Sequence, residues 1–461
     1  LPTLSAAIVF FISAYFLSPS DFGLVGLTAG IVSIAIAFSP LAFGEALVQR
    51  QEITKSHADS VFWLTAGFGM VLFAIFVVSA SYIANFVGQP EIAFLLPVLA
   101  LKVPLELMAA VPNSMIVRSM RFKLIALRTS VATIVSGVIS VAMLMAGYGY
   151  WALVISQVSA SLVICVMAFW VTGWRPGRSF SVAGIRDLAR YGVFASGDRM
   201  LSTLKIDHIL LGALAGPNFL GLYYFAQRLY GLLTGLVSGA LSSVTHALLS
   251  TLQDDKEKTR QAFLMASFAS ASFSMPMFAG LALVVDDLLP LILAPKWIPA
   301  TYAIKAFCLN GIFVCVGIVQ AALIKSQGRV NWWFYYQLAQ IVSTVAVILA
   351  TYRFGMTTMM TVLVIKFVIL WPVSAIMTAR LLGESLGQYL IHFKNPLIAT
   401  SVMSLAVVAS PALFPTLDLK IMIPLQILTG VIVFGSTLLA ISRKRIGSIL
   451  HILKSKGKVS V

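Results

Sequence analysis

Leu17-Ser18-Pro19-Ser20-Asp21-Phe22-Gly23-Leu24 decides the fold, because its pattern returns 198 residues later as Ala215-Gly216-Pro217-Asn218-Phe219-Leu220-Gly221-Leu222. Pro, Gly and Leu coincide in the two copies. Each copy is a short turn carrying Pro and Gly, set between long apolar runs. Two weaker echoes follow. Tyr148-Gly149 is matched by Phe354-Gly355 at an offset of 206, and Ala100-Leu101-Lys102 by Ala303-Ile304-Lys305. The growing offset fits an enlarged connection around residues 286–299. The chain therefore reads as two copies of one unit.

Outward from that turn the apolar runs continue. Fourteen can be marked, at about 1–17, 22–46, 60–86, 92–116, 124–146, 151–173, 191–214, 219–248, 262–284, 302–324, 332–352, 356–379, 396–413 and 421–441. Most reach the roughly 20 residues that span a bilayer core as helix. Charged residues make up 10% of the 461, against about 25% in soluble globular chains. There is too little charge to coat soluble domains, and too much apolar and aromatic content for disorder. Continuous apolar runs, not alternating ones, favour helices over a barrel. The expected fold class is an all-α polytopic membrane protein of about 14 transmembrane helices. Equivalent helices lie six crossings apart, so the copies share an orientation and a pseudo-twofold runs along the membrane normal.

The expected organisation is an N-terminal lobe at 1–173, a cytoplasmic linker at 174–190 and a second lobe at 191–382. Appended helices at 396–442 and a basic tail at 443–461 follow. Residues 181–190 read as a short amphipathic helix on the inner surface. The sequence begins at Leu1, without Met and inside an apolar run, which reads as a start lacking its first residues.

Charge supplies the orientation. Of the 32 Lys and Arg, 23 fall in alternate connections and the C-terminal tail, and three on the opposite side. That asymmetry places the basic connections and both termini in the cytoplasm. It also accounts for the net charge of +16 through contact with anionic lipids, without invoking nucleic acid. Cys165, Cys308 and Cys315 lie inside apolar runs and read as small buried hydrophobes. No HExxH, CxxC or GxxxxGK[ST] occurs, so neither metal chemistry nor ATP hydrolysis is expected.

Ten charged residues fall within or at the edges of the apolar runs: Glu45, Lys102, Glu106, Asp198, Arg199, Lys205, Asp207, Arg228, Lys305 and Lys366. A charge at bilayer centre costs about 2.5–3.5 kcal/mol on insertion scales. Each therefore serves a structural ion pair or lines a polar cavity. Lys102 and Glu106 share one helix face, and both readings stay open. An Asp207–Arg228 bridge across the 216–218 turn is one structural reading. Lys305 and Lys366 read as unpaired and are cavity candidates. Glu45 reads as a boundary residue. The surplus of cations suits an anionic group entering from the cytoplasm. The aromatic run 332–336 reads as an interfacial belt before a sugar platform. Tyr223, Tyr224, Gln227, Asn310, Gln320, Gln337 and Gln340 suit sugar hydroxyls or helix–helix bonding equally.

Several short motifs now stand in order: the two turns above, Ala46-Leu-Val-Gln-Arg50, Arg121-Phe-Lys123, Gly149-Tyr-Trp-Ala-Leu153, Trp174-Arg-Pro176, Ala226-Gln-Arg228-Leu and Pro295-Lys-Trp297. With them the chain, over roughly residues 10–380, resembles the oligosaccharide flippases of the polysaccharide transporter family. That family lies within the multidrug/oligosaccharidyl-lipid/polysaccharide exporter superfamily. The resemblance implies transport of a polyprenyl-pyrophosphate-linked oligosaccharide to the periplasmic leaflet of a bacterial inner membrane by alternating access, for exopolysaccharide, O-antigen or capsule synthesis. It implies no enzyme activity and no cofactor beyond H+ or Na+ coupling. Polysaccharide polymerase and chain-length proteins are the implied partners. Arg228 and Asp207 fall on recurrent family positions. The run Ala14-Tyr-Phe-Leu-Ser-Pro19 departs from the family pattern, which places an Arg there. Arg199, Lys205, Arg228, Lys305, Lys366 and Lys102 are the expected anion- or sugar-binding residues. Glu106, Asp198 and Asp207 are the ion-coupling candidates, and Arg118, Arg121 and Lys123 the cytoplasmic entry. Alternatives are a lipid II flippase and a cation-coupled multidrug exporter of the same superfamily. A membrane-embedded glycan polymerase is disfavoured by the small outer connection at 285–301.

Overall fold

In the computed structural model the first turn becomes a helix start. The Asp21 N–H donates to the Ser18 hydroxyl at 3.2 Å, and the Ser18 N–H donates to the Asp21 carboxylate at 2.8 Å. This reciprocal cap satisfies donors that a helix leaves open, and Pro19 stands where its missing N–H costs nothing. Helix Pro19–Ala37 follows. Pro217 likewise stands first in helix Pro217–Thr251. The structure describes residues 2–50, 53–182, 185–186, 200–201, 203–251 and 255–456; among them every regular element is a helix. Among the described residues, nine helical stretches, or ten with one bent pair, are long and apolar enough to cross a bilayer. One of them, Val330–Leu382, contains two helices, Val330–Thr351 and Gly355–Leu382. The architecture is that of an all-helical, multi-pass membrane protein.

Three runs expected to be continuous are broken. Run 22–46 divides into Pro19–Ala37 and Ala42–Gln49 around Ser39-Pro40, because a residue before proline is driven out of helical backbone. Run 92–116 divides into Ile92–Ala100, Lys102–Met108 and Ala110–Arg118, with a 41° bend before the last piece. Pro97, Pro104 and Pro112 each withdraw a backbone donor from this run. Run 191–214 is interrupted at Leu204-Lys205, ahead of helix Ile206–Leu214. Most of the expected surface helix at 181–190 lies outside the described residues.

The chain forms two compact units: residues 1–225 with 348–353, and residues 226–347 with 354–461. The expected inter-lobe linker, at 174–190, falls inside the first unit. Sequence repetition and compactness thus divide the chain at different places.

In the first unit, Phe43, Leu47, Val61, Phe62 and Val111 form a buried cluster beside Phe169 and Trp174. The last two rings stack at 6.0 Å. In the second unit, Phe263, Met275, Val319, Leu323, Tyr389 and Phe393 form the core. Within it, Gln320 donates to the Tyr389 hydroxyl at 3.0 Å and accepts from Ser374 at 2.9 Å, so its buried amide is bonded at both ends. The appended helices Lys394–Leu413 and Leu419–Lys456 pack on helix Lys256–Ile292 through Phe268, Ala399, Leu438, Val284, Met403 and Val407. All three cysteines are free and buried.

Candidate functional site

The broken run of the first unit carries Lys102 and Glu106. Lys102 opens helix Lys102–Met108, with Leu101 between it and the end of helix Ile92–Ala100. Pro104 leaves the Ala100 carbonyl without its helical donor. Lys102 Nζ donates to Gln157 Oε1 at 3.4 Å and lies 3.9 Å from Glu106 Oε1. Ser161 donates to the same Glu106 oxygen at 3.3 Å. Gln157 and Ser161 belong to helix Trp151–Thr172. Neither carries a charge, so no charge pattern pointed to them.

Lys205 occupies the interruption before helix Ile206–Leu214, not the interior of a helix, and its side chain is exposed. Its backbone N–H donates to Ser33 Oγ at 3.2 Å. Asp207 is held from the facing helix; its partners include Tyr223, whose hydroxyl donates to Oδ2 at 2.8 Å. Asp198 and Arg199 lie outside the described residues. Arg228 is exposed on helix Pro217–Thr251.

In the second unit Lys366 lies eleven residues into helix Gly355–Leu382, about 16 Å along its axis. Its ammonium donates to Gln340 Oε1 and Thr344 Oγ1, both at 2.9 Å. The Gln340 amide in turn donates to the Tyr336 hydroxyl at 2.9 Å. A half-buried cation is thus held by two neutral oxygens on helix Val330–Thr351.

Lys305 corrects an expectation. It is not alone, because Asp286 pairs with its ammonium. The sequence placed Asp286 in a connection beyond residue 284. Instead helix Lys256–Ile292 runs on, and the turn Pro295–Ala300, anchored by fully buried Trp297, folds the chain back so that the two charges meet.

Of the entry candidates, Arg121 and Lys123 are exposed at the start of helix Phe122–Met145. Arg118 has structural work: its guanidinium donates to the Leu47 carbonyl at 3.0 Å and to the Arg50 carbonyl. It thereby closes the C-terminal end of helix Ala42–Gln49. Sequence reading missed Asp59. This carboxylate is 1% exposed, and it accepts the Gly177 N–H at 2.9 Å and the Ser179 hydroxyl at 2.7 Å. Trp63 donates to the Gly177 carbonyl at 2.8 Å. The beginning of the expected linker is therefore tied to helix Lys55–Val87. Among the described residues, no group of three or more His, Cys, Asp and Glu converges to hold a metal ion.

The structure thus brings Lys102 together with Glu106, and Asp207 with Tyr223, inside the first unit. Lys366 and Lys305 occupy separate places in the second. Among the described residues, Lys102, Lys305 and Lys366 each have a side-chain partner, and of these three Lys366 is the one held by neutral oxygens without a carboxylate.

Relatives share this pattern of sequence and fold. Teichuronic acid biosynthesis protein TuaB of Bacillus subtilis is 24% identical over 371 residues, covering 79% of this chain and 77% of the relative. Succinoglycan biosynthesis transport protein ExoT of Rhizobium meliloti is 24% identical over 327 residues, covering 70% and 66%. Lipopolysaccharide biosynthesis protein WzxC of Escherichia coli is 22% identical over 401 residues, covering 82% and 78%. Among solved structures, lipid II flippase MurJ in its inward closed conformation aligns with a TM-score of 0.75 at 15% identity, over 96% of this chain and 98% of that one. An inward-facing multidrug resistance MATE family transporter aligns with a TM-score of 0.63 at 15% identity, over 82% and 95%. The fold is thus that of these transporters. Residues 12–302 match the family described as "Polysaccharide biosynthesis protein", and the chain belongs to that family.

Proposed function

We propose that this protein is a flippase for polyprenyl-pyrophosphate-linked oligosaccharide. It moves the glycan from the cytoplasmic to the periplasmic leaflet of a bacterial inner membrane, with both termini in the cytoplasm. Transport proceeds by alternating access of the lobes 1–173 and 191–382. The observation that carries the reading is Lys366: a cation deep in a span, held by neutral groups, in a chain of a polysaccharide biosynthesis family. Such a residue is costly in lipid and is retained where a substrate needs it. Lys102, Arg199, Lys205, Arg228 and Lys305 supply further positive charge for the pyrophosphate or acidic sugars. Arg121 and Lys123 attract the headgroup at the cytoplasmic surface, and Arg118 holds the neighbouring helix end. Glu106, Asp198 and Asp207 are the candidate sites for H+ or Na+ coupling. Polymerase and chain-length proteins would receive the product.

The test is transport of a fluorescent lipid-linked oligosaccharide in proteoliposomes holding the full chain. Movement between leaflets that is lost in Lys366→Met supports the reading; absence of movement with the unaltered chain overturns it. The likeness to MurJ makes lipid II the second reading. Rescue of cells lacking their lipid II flippase would select it.

A further inference from the structure

Helices Lys102–Met108 and Trp151–Thr172 are joined by two polar rungs, Lys102 to Gln157 and Ser161 to Glu106. The rungs stand four residues apart on both helices. The helices therefore run parallel and in register, with the rungs one turn apart. Along the first helix, Lys102 Nζ and Glu106 Oε1 lie 3.9 Å apart, too far for a hydrogen bond. Their side chains are 21% and 35% exposed, which leaves the pair open to a third group. Each member also holds a neutral partner, so separating the two charges leaves neither without a bond.

We propose that Glu106 is an exchangeable place-holder on Lys102. A phosphate oxygen of the lipid-linked substrate takes the ammonium, the carboxylate remains on Ser161, and Glu106 returns to Lys102 when the substrate leaves. This rests on the flippase reading. Between turnovers the neighbouring carboxylate offsets part of the cost of keeping the Lys102 charge inside a span. At Lys102 a tight, closed pair would exclude the substrate, whereas loss of the Glu106 charge would slow its release. The loose geometry meets both demands. Glu106 acts through Lys102 and is a positioning residue.

The experiment measures binding of undecaprenyl pyrophosphate, without glycan, to the full chain in nanodiscs by native mass spectrometry. Glu106→Gln removes the competing charge and is expected to tighten binding about tenfold, equivalent to about 1.4 kcal/mol. Transport of the lipid-linked oligosaccharide by that variant falls, because release slows. Lys102→Gln weakens binding by about the same factor, and the double variant matches Lys102→Gln. Glu106→Asp keeps the charge but withdraws it, and tightens binding by a smaller factor. If Glu106→Gln instead weakens binding as Lys102→Gln does, the pair is structural and the proposal fails. A double variant that retains the tightening also overturns it. Binding by the unaltered chain that ignores every substitution defeats this inference alone. No binding by the unaltered chain defeats both it and the flippase reading.

Discussion

Gly23 and Gly221 meet where the two copies of the repeated turn cross. A Cβ on Gly23 would stand 1.8 Å from the Pro217 carbonyl oxygen, and one on Gly221 would stand 1.7 Å from the Pro19 carbonyl oxygen. The contact is reciprocal, each glycine lying against the proline that opens the other helix. Phe22 and Phe225 close around the crossing with ring centroids 6.5 Å apart. No residue but glycine permits backbones to approach so closely, which explains why this position repeats with the turn.

Gly23→Ala and Gly221→Ala should therefore each destabilise the protein by about 1–3 kcal/mol, the usual cost of overpacking. Thermal unfolding in detergent checks this. Gly67→Ala, with nothing within 4 Å of its added Cβ, is the control and should leave the transition in place.

Lys366→Met should separate function from stability. Export of the glycan is expected to be lost while the amount of protein in the membrane is unchanged. Removing an ammonium from mid-span should also raise stability by on the order of 1 kcal/mol. Export assayed beside thermal unfolding gives both readings; normal export would remove Lys366 from the binding site.

Lys305 and Asp286 should behave as one unit. Their side chains are 37% and 55% exposed, so the pair is worth about 0.2–1 kcal/mol. Lys305→Ala and Asp286→Ala should each shift unfolding by no more than that, and the double variant by no more than either. Exchange of the two charges should restore the parent value.

Asp59→Ala should release the segment it holds. Losing a buried acceptor leaves the Gly177 N–H and Ser179 hydroxyl unsatisfied, at about 1–3 kcal/mol. Arg175 and Arg178 flank that point, so limited trypsin digestion of inside-out vesicles should cut there faster than in the parent. Equal rates would show that the anchor does not restrain the segment.

Legibility differed by residue. The turns at Pro19 and Pro217 were readable because capping and proline chemistry act within four residues of chain. Pro40, Pro97, Pro104 and Pro112 were equally visible, yet long apolar runs hid the breaks they cause. A hydropathy sum does not register a missing N–H. Lys366 was readable as a charge without a carboxylate on its helix, but Thr344 as its partner was not. Lys305 was misread because Asp286 was assigned to a loop, two residues beyond where the run was taken to end. Asp59 was overlooked because a single acid near a helix start is ordinary. Its importance comes from Gly177 and Ser179, more than a hundred residues away.

The amino-acid order alone determined that this is a multi-pass helical membrane protein, that its basic residues gather in alternate connections, and that one turn recurs. Those properties depend on burial in lipid and on local backbone chemistry, which act on neighbours along the chain. The folded arrangement decided which charges are answered and by whom: Lys305 by Asp286, Lys366 by Gln340 and Thr344, Asp59 by the backbone of Gly177. Partnership between spans depends on which helices adjoin and how each is turned about its axis. One residue of phase rotates a side chain by about 100°, and composition carries no record of that angle.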